Sequence, residues 1–361
     1  MLALRLVRGT HPVVQARRLL VAAAAAGVGF LLLCALGYAV GHPSHAGDGL
    51  LRLLWCALPL AATVQFAVAV ARTDPSTRPR PGLSAIGLGP ARLTAIAAAS
   101  TAVACTLGSA VALLCYLHLR GDITGLPFDG AAADLLAADQ PLPLAAALTL
   151  LALVPAVAAT AAGLSLRPRT TERAPASPTA ALPWGVALLA VGLAVETYAA
   201  RGDGGGVLAG WILTAVGLAA MGPALTHACG RLLQTARPGA VRLLAGRVLM
   251  SESSRLGRPL GVVAAVGSGT VAGLALYGST GLGPLTWLGV TVVVACTVGT
   301  LLTAALESKQ TRTHTTEALL RLGAPPTVLR TTVLLRATTL LAVFAPLTWA
   351  IGALAAIPLR G

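Results

Sequence analysis

The chain has 361 residues, of which 56% are hydrophobic and only 11% charged, with a mean hydropathy of +0.81. Soluble domains carry roughly 25% charged residues, so this balance excludes a water-soluble globular fold and implies an all-α, polytopic helical membrane protein. The formal net charge of +14 then reads as charge that sets orientation in a bilayer, not as a nucleic-acid surface.

Residues 1–18 carry Arg5, Arg8, Arg17 and Arg18 and read as a basic interfacial helix. It leads into a first apolar span at 19–40, which is longer than a signal-peptide core and is expected to be retained. A polar turn separates it from a second span at 50–71, which contains Pro59 and Gln65. A basic loop over 72–92 precedes the third span at 93–117, and an acidic loop over 118–141 with Asp122, Asp129, Asp134 and Asp139 precedes the fourth at 142–166. An Arg/Thr/Pro/Ser linker at 167–178 leads to spans at 179–200 and 207–227, joined by a tight Arg-Gly-Asp-Gly-Gly-Gly turn. The stretch from 229 to 259 holds Arg231, Arg237, Arg242, Arg247, Arg255 and Arg258 and reads as a second basic lead-in. Spans at 260–277, 285–306 and 331–357 complete nine predicted crossings.

Two short stretches align without a gap at an offset of 236: Leu83-Ser84-Ala85-Ile86-Gly87-Leu88-Gly89-Pro90-Ala91-Arg92-Leu93, and 319–329. Leu83/Leu319, Gly87/Gly323, Pro90/Pro326 and Leu93/Leu329 are identical, and Ile86 stands against Leu322. Each reads as a short amphipathic helix, a Gly at its C-terminal end, and a Pro starting the next helix. With the N-terminus inside, only Arg52, Arg120, Arg201 and Arg360 of the 26 Lys/Arg fall on the outer side. That asymmetry predicts a cytoplasmic N-terminus, an extracytoplasmic C-terminus and both repeated elements in the cytoplasm. The organisation follows as a first half at 1–166, a linker with an inserted helix pair at 167–228, and a second half at 229–361.

The residues Glu317-Ala318-Leu319-Leu320-Arg321-Leu322-Gly323-Ala324 resemble the segment after the second helix of FtsX-like permease domains, the membrane subunits of MacB/FtsX/lipoprotein-release type ABC transporters. The resemblance covers most of the chain in topology and about a dozen residues per copy in motif. It implies cytoplasmic coupling helices that press on a separate ABC-type ATPase subunit, two copies per complex, in a bacterial cell membrane. On that reading Leu83, Ile86, Leu319, Leu320 and Leu322 fill an apolar groove on the ATPase. Glu317 and Arg321 set the register, and Gly87, Leu88 and Gly323 complete the contact positions. Three features depart from the family: nine spans rather than ten, no large domain after the first helix, and Pro325-Pro326 where a basic turn is usual.

No phosphate-binding Gly-x-x-x-x-Gly-Lys-Ser/Thr pattern occurs, and Lys309 is the single lysine, so ATP and Mg are expected in the partner and no enzyme activity in this chain. The expected role is export or extraction of an amphipathic, lipid-borne substrate such as a peptide antibiotic or a lipid. A non-transporting mechanotransmitter that signals through the acidic loop is the alternative. An ion-coupled secondary transporter calls for a buried midplane carboxylate. None is evident, since Glu196 reads as a near-interface group, solvated or paired with Arg201. Arg336 is expected to snorkel to the inner surface and Gln65 to bond a neighbouring helix. His42, His45 and Asp48 read as a polar loop, and the six cysteines as buried small hydrophobes.

Overall fold

The computed structural model describes residues 12–74, 90–123, 127–128, 130–134, 136, 138–167, 180–200, 205–235, 239–277, 283–312, 317, 321, 323 and 325–358. Among them nine helices are long and apolar enough to cross a bilayer, and no strand occurs. In chain order they are α1 (Pro12–Gly41), α2 (Ala46–Thr73), α3 (Pro90–Arg120), α4 (Leu144–Leu166), α5 (Leu182–Ala199), α6 (Gly205–Thr235), α7 (Ala240–Tyr277), α8 (Pro284–Thr311) and α9 (Pro326–Ala356). The protein is a polytopic helical membrane protein, and each predicted span has its helix.

Proline sets four of the starts, Pro284 opening α8. Pro12, Pro90 and Pro326 open α1, α3 and α9, where the missing N–H would be unsatisfied in any residue. Other prolines lie inside helices, at Pro59, Pro155, Pro223, Pro259 and Pro346. The largest departure from the sequence reading is α7, which begins at Ala240 rather than near 260. Its basic lead-in is continuous with the span because Ala245, Leu249, Leu256 and Gly257 form a buried face along it. Pro259 removes one ladder hydrogen bond without ending that helix. In the same way α6 runs on to Thr235, through Cys229 and Arg231.

By packing, the chain divides into two compact units. The first comprises Met1–Thr170 and Pro284–Cys296. Its centre is α1, whose Val21, Ala25, Val28, Leu31 and Leu32 are buried with Phe66 of α2, Cys105 of α3, Val154 of α4 and Cys296 of α8. Helices approach closely here because lipid offers no hydrophobic drive and contact is made by small residues. A Cβ added at Gly108 of α3 would lie 2.9 Å from the Cβ of Ala25. Beside it, Tyr116 is buried with its hydroxyl 3.5 Å from the carbonyl of Leu136. The acidic segment after α3 is folded back: Leu136 is buried, and buried Arg120 reaches the carbonyls of Ala138 and Gln140 and Oδ2 of Asp122.

The second unit comprises Thr171–Gly283 and Thr297–Gly361. Here α6 and α7 form a close-packed hairpin. A Cβ on Gly246 would stand 2.6 Å from the carbonyl oxygen of Gly230, and one on Gly257 would run into Pro223. On the other side of α7, a Cβ on Gly352 of α9 would meet the carbonyl oxygen of Ser268 at 2.6 Å. Five of the cysteines are buried as expected, whereas Cys115 is exposed.

Candidate functional site

The second repeated element follows α8. Glu317 and Arg321 have helical backbone and are exposed. Gly323 has φ +84°, the left-handed conformation that ends a helix and that glycine adopts without strain. Pro325 is extended and caps α9, with the N–H of Val328 donating to its carbonyl at 3.0 Å. Helical backbone at Glu317 and Arg321, a left-handed Gly323 and a proline start therefore occur in the order read from the repeat. Leu319, Leu320 and Leu322 lie outside the described residues, as do Leu83, Ile86, Gly87 and Leu88 of the first element. Leu93, which closes the first element, is buried on α3.

Both flanks of the second element are tied to one carboxylate. Glu252 of α7 is buried, 8% exposed. Its Oε1 pairs with Arg312, the residue capping α8, and its Oε2 accepts from Nη2 of Arg336 on α9 at 3.2 Å. Arg336 is thus an internal ion-pair partner and does not snorkel to the surface. Two guanidinium groups share one carboxylate, so each negative oxygen is satisfied and α7, α8 and α9 are pinned at one level.

The first unit has a related brace of opposite sign. Arg18 of α1 donates from Nη2 to Oδ2 of Asp74, the residue capping α2, at 2.5 Å, and Arg17 reaches Oγ1 of Thr73 at 3.2 Å. At the 236-residue offset of the two short stretches, Arg18 falls within two residues of Glu252, and Asp74 within two residues of Arg312. A carboxylate at a helix C-terminus opposes the helix dipole, so Asp74 needs its arginine more than Arg312 needs its carboxylate.

A second polar site lies between α5 and α6. Glu196 is only 1% exposed, and Oγ1 of Thr214 donates to its Oε1 at 3.1 Å. Its Oε2 is buried without a partner among the described residues. The two helices meet through glycine: a Cβ on Gly210 would crowd the backbone N of Glu196 at 2.9 Å. The expectation of a solvated group is therefore wrong. The helix partner brings an apolar wall over it, one turn from the end of α5, and Arg201 lies outside the described residues. Gln65 is exposed on α2, and no group of three metal-ligating side chains occurs among the described residues. His42 stacks on Tyr38, at 4.4 Å between ring centroids.

Glu252 escaped the sequence reading although a signal was present. It is the single acidic residue between Asp203 and Glu307, set among six arginines, where an isolated acid calls for a partner. No family model, curated protein or solved structure matches the chain.

Proposed function

We propose that this chain is the membrane subunit of an FtsX-like ABC transporter in a bacterial cell membrane, with its N-terminus cytoplasmic and its C-terminus outside. A separate ATPase, in two copies, presses on the elements at 83–93 and 317–329. Leu83, Ile86, Leu319, Leu320 and Leu322 enter its apolar groove, with Glu317 and Arg321 setting the register beside Gly87, Leu88 and Gly323. ATP and Mg bind in the partner. The reading is supported above all by one arrangement: exposed Glu317 and Arg321 with helical backbone, and left-handed Gly323, stand between Arg312 and Arg336, which share one carboxylate. A push delivered between Arg312 and Arg336 acts on α8, α9 and α7 together through that carboxylate. The load moved is an amphipathic, lipid-borne molecule. Co-purification of the full chain with the ABC-type ATPase of its operon is the test, with Leu322→Asp as the variant. Capture by the native chain and its loss in the variant are expected; unchanged capture or transport in the variant would refute the assignment.

A second reading, a mechanotransmitter signalling to a membrane or extracytoplasmic partner, is favoured by the folded acidic segment that Arg120 anchors. Deleting residues 122–139 then abolishes signalling while ATPase capture survives; signalling that persists refutes it.

A further inference from the structure

The long helix α7 carries another polar face, turned away from Glu252. Arg247, Ser251, Ser254, Arg255 and Arg258 are all exposed. At about 100° per residue they fall within an arc of about 100°. The opposite arc holds Ala245, Leu249, Glu252 and Leu256, all buried. The sole acid of the helix is thus spent on Arg312 and Arg336, and the exposed face is cationic along its length. Arg247, Arg255 and Arg258 make no ion pair among the described residues.

Depth gives this face its meaning. The hydrocarbon core of a bilayer is about 30 Å thick, and a helix rises 1.5 Å per residue. Residues 259–277 carry no charge. They span about 28 Å, so they fill the core on their own. Arg258 and Arg255 then stand at the border of the core and the headgroup layer, where a guanidinium meets phosphate. Arg247 lies about 16 Å beyond Arg258 and extends the positive field outward.

We propose that Ser254, Arg255 and Arg258 bind the phosphate of an anionic phospholipid in the leaflet where α7 emerges. Arg255 and Arg258 are one turn apart and offer two donor forks to one phosphodiester, with Ser254 one turn before Arg258 on the same face. Ser251 donates to the carbonyl of Val248 at 2.9 Å, whereas the Ser254 hydroxyl makes no hydrogen bond among the described residues. Three cations with no acid on the exposed face of α7 favour a lipid of net negative charge over a zwitterionic one. The proposal does not rest on the transport reading.

Native mass spectrometry of the full chain in mild detergent, with phosphatidylglycerol or phosphatidylcholine added, tests it. A juxtamembrane arginine is worth about fivefold in anionic-lipid affinity, so the native chain retains phosphatidylglycerol over phosphatidylcholine by about tenfold or more. Arg255→Gln with Arg258→Gln reduces that ratio below about threefold, and Arg255→Lys with Arg258→Lys keeps most of it. These side chains are exposed, so thermal unfolding of the variants matches the native chain. Equal retention of the two lipids by the native chain, or an undiminished ratio in the Gln pair, overturns the proposal. Displacement of the lipid by excess inorganic phosphate also overturns it, by assigning the site to a soluble anion.

Discussion

Arg336 of α9 donates from Nη2 to Oε2 of Glu252 on α7 at 3.2 Å, and the other oxygen of that carboxylate holds Arg312 at the end of α8. One side chain therefore holds the interiors of α7 and α9 level with the C-terminal end of α8. Removing one partner from a buried ion pair leaves the rest unpaired, which costs about 3 kcal/mol. Glu252→Ala strands two guanidinium groups and is expected to lose about that much, seen as a lower midpoint in denaturation by sodium dodecyl sulfate. Adding Arg336→Ala to it costs less than the sum of the single losses, because the second change removes a charge already stranded. Strict additivity would mean that the two residues act independently.

The reversed brace in the first unit makes a different prediction. Arg18 is 37% exposed at its side chain, so solvent screens its pair with Asp74 and the interaction is worth about 1 kcal/mol or less. Arg18→Asp sets two carboxylates together at the C-terminus of α2 and lowers stability. Arg18→Asp with Asp74→Arg recovers it, and adds the favourable position of a cation at a helix C-terminus. The double variant is therefore expected to match or exceed the native midpoint. A double variant no better than Arg18→Asp would show that the brace depends on local geometry and not on charge.

The nine spans, their order and the proline starts of α3 and α9 are legible in the sequence because lipid imposes length and apolarity on each segment separately. Gly323 is legible for a similar reason, since its conformation is local. What the sequence conceals is pairwise. Glu196 sits one turn from the end of α5 and looks solvated until α6 lays Gly210 and Thr214 against it. Arg336 looks free to snorkel until α7 supplies Glu252. The start of α7 is concealed because a run of arginines reads as surface, whereas the opposite face of that run is buried.

Glycine positions that look alike in sequence differ in their surroundings. A methyl group at Gly246 would enter the space of Gly230's carbonyl and of Gln234, both on α6. Overpacking of this kind costs about 1–3 kcal/mol, so Gly246→Ala is expected to destabilise the α6–α7 hairpin by that amount. Gly273, further along the same helix, has nothing within 4 Å of its added Cβ. Gly273→Ala replaces a flexible residue in a helix interior and is expected to stabilise by about 0.5–1 kcal/mol. Thermal unfolding of the two variants side by side checks the opposite signs.

The last expectation concerns the buried carboxyl group of α5. Thr214 supplies the one hydrogen bond described to Glu196, at 3.1 Å, and the other carboxyl oxygen is already without a partner. Thr214→Val keeps the shape and removes the donor, leaving both oxygens unsatisfied in an apolar interface, at a cost of about 1–3 kcal/mol. Glu196→Leu in that background removes the unsatisfied group altogether. Replacing both partners by apolar side chains is close to neutral when shape is conserved. The double variant should therefore unfold near the native midpoint, well above Thr214→Val alone. If a double variant of native stability also loses its transport or signalling function, Glu196 serves that function and not the packing of α5 on α6. If function is unchanged, the carboxyl group is a structural residue whose burial the helix pair tolerates.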